Sequence, residues 1–188
     1  LMQLSKDGQK VVGSKISIDC DCLGMSGGWT PAVHLFTQSG GKLKFRDDDQ
    51  VFIPDTYPSD QISIGSCNGE FTLDEILSSI SKKLKDFLNI KKTEYENLEI
   101  QSHFNKTKRN IWLLPSDKII GKTKPFVDYQ NDATAKDIKL ALREGFRSIE
   151  HVKRYTTTGM GTDQGKLGNM HALGIISETA GAKMGELG

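Results

Sequence analysis

The sequence predicts an α/β fold over residues 1–90, a linker at 91–125 and a small all-α module at 126–188. Three observations carry this. KISIDCDCLGM alternates apolar and polar residues with the period of a strand. Thr72 opens a run with apolar residues at helical spacing. Three further helix-like runs, set off by glycines, fill the last sixty-odd positions.

The elements follow in order. Asp7-Gly8 is a turn signal, so Met2–Leu4 and Val11–Val12 are expected as a hairpin. The strand Lys15–Met25 comes next, with Ile16, Ile18, Cys20 and Cys22 on one face. On that face the two cysteines read as small buried hydrophobes rather than a metal pair. SGGWTP breaks the strand, and Ala32–Gln38 is one or two helical turns. GGKLKFRDDDQVFIP reads as a strand pair with a polar turn at Asp47–Asp49. Gln61–Ile64 is a short strand and GSCNG a loop. Thr72 and Glu75 form a capping box ahead of a helix through Leu88. Lys82, Lys83 and Lys85 suit the negative end of that helix.

The linker is polar and lysine-rich, apart from Ile111, Trp112, Leu113 and Leu114, which are expected to pack on a neighbour. In the last module Thr134 and Asp137 cap a helix to about Glu144, with Ile138, Ala141 and Leu142 inward, and Gly145 ends it. Ser148 caps a second helix through Tyr155. A loop, Thr156–Gly168, leads to a third helix, Asn169–Ala180.

Bulk properties bound the function. The chain has 188 residues, 36% hydrophobic and 26% charged, with net charge +1. That balance gives no field favouring nucleic acid or anionic lipid, so neither is an expected partner. No apolar run is long enough to span a bilayer. The odd cysteine count, three, without a secretory leader, points to reduced thiols in the cytoplasm. LMQLSKDGQK and GAKMGELG read as interior sequence, so a piece of a longer chain is expected. His151, on the second helix, reads as a capping or packing histidine, and His34, His103 and His171 have no partnered carboxylate in view, so no catalytic or metal-ligating residue is assigned.

Two segments carry binding chemistry. Gly65 and Ser66, between a strand and a helix, form a turn whose backbone N–H groups suit phosphate; a tight turn that simply needs glycine is the plainer reading. HVKRYTTTGMGTDQGK, from His151 to Lys166, joins two helices through a glycine-broken loop flanked by cations and hydroxyls. Arg154, Thr157, Gly161 and Lys166 are its candidate binding residues, for a phosphate or a partner chain; a loop kept for fold stability alone, with its cations merely solvated, is an equal reading.

Both segments resemble known families. GMSGGWTP, with Gly27 and Gly28, is similar to the ATGxxP segment of two-dinucleotide-binding flavoprotein reductases. The resemblance implies that residues 1–90 are the C-terminal part of an FAD/NAD(P)-type domain with a partial NAD site at Gly27, Gly28, Gly65 and Ser66. The family's aspartate is missing from that site. FVDYQNDAT and TTTGMGTDQGKLG resemble the frame of bacterioferritin-associated-ferredoxin-like [2Fe–2S] modules. Asp128, Gln130, Asp163 and Gly168 stand where that frame places its four cysteines, so no cluster is expected.

The combination, with MSGGWTPAVHL and QSGGKLKF, resembles the alpha subunit of heterotetrameric sarcosine oxidase over nearly the whole chain. That family's complex oxidises sarcosine to glycine with hydrogen peroxide, the methyl carbon passing to tetrahydrofolate or leaving as formaldehyde. FAD and FMN serve through the complex, and the alpha subunit binds NAD. The resemblance implies beta, gamma and delta subunits as partners, beta most directly, together with the rest of the alpha chain. It implies an inactive segment when isolated. Two other readings stay open: a non-catalytic scaffold segment, and a subunit of a related flavin-dependent amino-acid dehydrogenase.

Overall fold

A computed structural model describes residues 1–24, 27–58, 60–90, 100, 110–116 and 122–187. Met25, Ser26 of the SGGWTP break, His103 and most of the linker lie outside the described residues. The chain divides into two compact units, Leu1–Gly24 with Ile111–Gly188, and Met25–Asn110.

The second of these begins with a short helix, α1 (His34–Gln38), and an antiparallel pair, β3 (Lys42–Arg46) and β4 (Val51–Thr56). The turn falls at the three aspartates, as their polarity requires. Arg46 there is held by both carboxylate oxygens of Asp49 and donates to the Gly69 carbonyl at 2.7 Å. Phe36, Val51 and Ile53 form the buried side of the pair. A single 3-10 turn, Gly65–Asn68, precedes α2 (Leu73–Leu88). The Thr72–Glu75 capping box is formed in both directions. The apolar stripe of α2 is only half covered: Leu73, Phe87 and Leu88 are 43–56% exposed.

The other unit holds a hairpin and a helical cluster. β1 (Gln3–Leu4) pairs antiparallel with β2 (Val11–Val12), and Ile111 packs against its turn at Gly8. β5 (Phe126–Asp128) and β6 (Ala133–Thr134) make a second short hairpin. It runs directly into α3 (Ala135–Arg143), which Thr134 and Asp137 cap reciprocally. α4 (Ile149–Thr156), α5 (Asn169–Ala180) and a final turn, α6 (Met184–Leu187), complete it. Ala135, Ile138, Ala141, Val152, Ala172, Ile175 and Ile176 are the core, at 0–2% exposure. Trp112 and Leu113 pack on it, whereas Leu114 is exposed. The Trp112 indole lies on Gly174, where any side chain would collide with it. That close approach explains a glycine in the middle of a buried helix.

Several expectations are corrected. The C-terminal module is not all-α, because β5 and β6 brace its first helix. Lys15–Met25 is not an assigned strand: only Ile16 is paired, through reciprocal backbone bonds with Leu1, and among the described residues 17–24 carry no ladder. Cys20 and Cys22 are therefore exposed rather than buried. Gln61–Ile64 lacks a ladder too, although Ile64 has extended dihedrals. Among the described residues every strand pairing is antiparallel, so the fold is a mixed α and β arrangement without the parallel sheet of a dinucleotide-binding domain.

Candidate functional site: a glycine loop held by side chains

The loop between α4 and α5 is anchored from the β5–β6 hairpin. Asp128 ends β5 and is buried at 7% exposure. Its Oδ2 accepts the Gly159 N–H at 2.8 Å, and its Oδ1 accepts the N–H groups of Gln130 and Asn131 at 2.9 and 3.1 Å. The Asn131 amide donates to Asp128 and to the Thr157 carbonyl. Burial pushes the Asp128 carboxyl up, but the donors around it outweigh this and hold it below the usual carboxylate range.

Gln130 makes the second anchor. Its Oε1 accepts the Thr162 N–H at 2.6 Å and the Thr162 hydroxyl at 2.7 Å. Asp163 caps the following turn, its Oδ1 accepting from Gly165 N–H and its Oδ2 from Leu167 N–H. Gly168 has no side chain and no room for one, since a Cβ there would sit 2.8 Å from the Val127 carbonyl oxygen. The Asn169 side chain closes the arrangement. It fills the space over Gly159 and Gly165, so a Cβ at either would collide with its amide. Both glycines also have positive φ, +74° and +75°. The loop thus depends on glycine twice over, for dihedral and for space.

Asp128, Gln130, Asp163 and Gly168, the four positions singled out in the sequence, therefore all serve the loop itself. Three bind its backbone directly and the fourth lets it approach β5. The described residues contain no group of three or more His, Cys, Asp or Glu side chains that could hold a metal ion.

The candidate binding residues fall into two groups. Thr157 and Gly161 lie inside this network, Thr157 in a left-handed conformation at φ 60° and Gly161 against the Gln130 side chain. Arg154 and Lys166 flank it on the surface. Around the same loop Tyr129 and Leu167 are 70% and 78% exposed. In the other unit, Gly27 and Gly28 are exposed, with open space where a side chain would be. Gly65 is buried, and its N–H donates to Glu70 Oε2 at 3.0 Å. Glu70 also takes Ser79, Asn68 and Lys83. A phosphate at Gly65 would have to displace that carboxylate, so the turn does not fit one. Ser66 is exposed beside it.

Sequence reasoning missed Asn131, Asn169 and Glu70. Each is an ordinary polar residue whose role arises only from tertiary placement, and no local spacing marks it.

Residues 122–188 match the family of the sarcosine oxidase A3 domain. The chain is 33% identical over 187 residues to a sarcosine oxidase subunit alpha from Rhizobium meliloti (strain 1021), covering 94% of this chain and 18% of that protein. It is 31% and 30% identical to the corresponding subunits of Corynebacterium sp. strains P-1 and U-96, over 90% and 93% of this chain and 18% and 19% of theirs. The chain thus spans less than a fifth of the length of these relatives. Among solved structures, an L-proline dehydrogenase from P. horikoshii gives a TM-score of 0.48 at 22% identity, over 85% of this chain and 34% of that one, a likeness too loose to define the fold. Residues 122–188 thus match the sarcosine oxidase A3 domain family, and over 90–94% of its length the chain is similar to part of sarcosine oxidase alpha subunits.

Proposed function

We propose that the chain is a segment of the alpha subunit of a cytoplasmic sarcosine oxidase. In this reading the assembled complex converts sarcosine to glycine and hydrogen peroxide, with the methyl carbon passing to tetrahydrofolate or released as formaldehyde. FAD, FMN and NAD belong to the complex, and the segment alone has no oxidase activity. The relationship to three alpha subunits along 90–94% of the chain supports it.

The loop of residues 156–168 is the segment's own contribution: a rigid surface that contacts the flavin-bearing beta subunit. One observation carries this. The loop is over-determined by Asp128, Gln130 and Asp163, yet it holds Thr157 in a strained left-handed conformation and leaves Tyr129, Leu167, Arg154 and Lys166 at the surface. Rigid loops presenting aromatic, apolar and arginine side chains suit protein contacts. The loop carries no [2Fe–2S] cluster in this reading. Its four ligand positions offer oxygen or no side chain, and the oxygens are committed to backbone N–H groups. Nucleotide binding in the segment rests on Gly27, Gly28 and Ser66, which are open to a ligand, rather than on Gly65.

The test is R154A/K166A in the full alpha subunit, co-expressed with its partner subunits. Loss of beta subunit and flavin from the purified complex is expected. Unchanged assembly and flavin content would refute the contact, whereas absence of sarcosine-dependent peroxide from the unaltered complex would refute the enzyme reading.

A further inference from the structure

The hairpin β1–β2 does not stop at its assigned ends. Beyond Gln3↔Val12, the Leu1 nitrogen donates to the Ile16 carbonyl at 2.5 Å and the Ile16 N–H donates to the Leu1 carbonyl at 2.8 Å. Two reciprocal bonds make Leu1 and Ile16 a hydrogen-bonded antiparallel pair. The register shifts by two between Val12 and Ile16, where Gly13 has φ +78°. A bulge of this kind re-aims a strand without ending its pairing.

The second arm then outruns the first. Residues 17–23 continue with strand alternation, Ile18, Cys20 and Cys22 on one face and Ser17, Asp19 and Asp21 on the other. Ile16 and Ile18 are 58% and 63% exposed, and both cysteines are exposed. No backbone hydrogen bond is made by residues 17–23 among the described residues. A row of unpaired N–H and C=O groups along an alternating apolar face is a template for another strand. The register says where that strand must come from. The only direction in which the Leu1–Ile16 pair can be extended leads, on the opposite arm, to polypeptide preceding Leu1.

We infer that residues 17–23 form a strand whose partner is the part of the longer subunit continuing β1 on the N-terminal side of Leu1. In that register, the residue immediately before Leu1 lies opposite Ser17 as a non-hydrogen-bonded pair, and the one before it lies opposite Ile18 as a hydrogen-bonded pair. The apolar face of Ile16, Ile18, Cys20 and Cys22 is then one face of a sheet. This rests on the reading of the chain as a segment of a longer subunit.

The experiment uses the full alpha subunit, with S17C and a second cysteine replacing the residue immediately before Leu1, in a C20S/C22S background. Non-hydrogen-bonded antiparallel pairs bring Cα atoms to about 4.5 Å, within disulfide range. An intrachain disulfide between these two positions, found by peptide mapping, is expected. The I18C control paired with the same upstream cysteine should cross-link at most weakly, since its side chain lies on the other face. Equal cross-linking of both, no cross-link in the folded subunit, or a disulfide only between two copies would overturn the proposal. A cross-linked subunit whose complex does not oxidise sarcosine would leave the strand standing and refute only the enzymatic reading.

Discussion

Asp128 Oδ2 accepts the Gly159 N–H at 2.8 Å, joining residues 31 apart in sequence. This bond ties the end of β5 to the middle of the glycine loop, and it is buried. Removing the acceptor leaves the N–H groups of Gly159, Gln130 and Asn131 short of a partner. A buried donor without a partner costs about 1–3 kcal/mol. D128A should therefore lower stability by about 2–3 kcal/mol in chemical denaturation of the chain. D128N, which keeps one acceptor oxygen, should cost less.

The same carboxylate shapes the acid limb of stability. Its folded-state pKa is depressed, because the surrounding N–H donors outweigh the effect of burial. A depressed carboxyl contributes stability that is fully present above its unfolded value of about 3.9 and is lost as pH falls through the folded value. Wild type should thus lose stability relative to D128N as pH drops below about 4. Parallel stability curves for the two proteins from neutral pH down to the acid transition would contradict this.

Thr157 has φ 60°, which costs a β-branched residue of order 1 kcal/mol. T157G should raise the melting temperature of the chain. If the strained loop is a contact surface, the same change should weaken association with the beta subunit in a pull-down from the assembled complex. A stabilised variant that assembles normally would make the strain incidental.

Gly159 and Gly165 test the other half of the arrangement. G165A places a methyl group against the Asn169 amide at positive φ. It should destabilise by at least about 1 kcal/mol, since both the dihedral and the space are wrong. N169G should relieve the collision and recover part of the loss, which a double-mutant cycle measures as a non-additive term.

Much of the helical half was legible in sequence because its signals are local. Thr134 with Asp137, Thr72 with Glu75, and Gly145 mark helix ends by short-range chemistry, and the structure places helix ends there. Trp112 was recognisable as an anchor from its isolation in a polar segment. The strands were less legible. Ile16 to Cys22 alternates as a strand should, but pairing requires a partner, and beyond the Leu1–Ile16 pair none of the described residues supplies one. The β5–β6 hairpin was hidden because Asp128 and Thr134 looked like loop and cap, while ladder geometry also recruits them. At the site, the glycine loop GMGTDQG was plain in sequence. The parts that Asp128, Gln130, Asp163 and Gly168 play in holding it were not visible, because a carboxylate reaching 31 residues along the chain leaves no local pattern.

The central claim is that the Asp128 and Gln130 side chains hold this loop. Amide hydrogen exchange tests it most directly, read at Gly159 and Thr162 in wild type, D128A and Q130A. The account predicts that D128A selectively loses protection at Gly159 and Q130A at Thr162, while the α3 amides around Ile138 and Ala141 stay protected in both. Unchanged protection at Gly159 and Thr162 in these variants would contradict it.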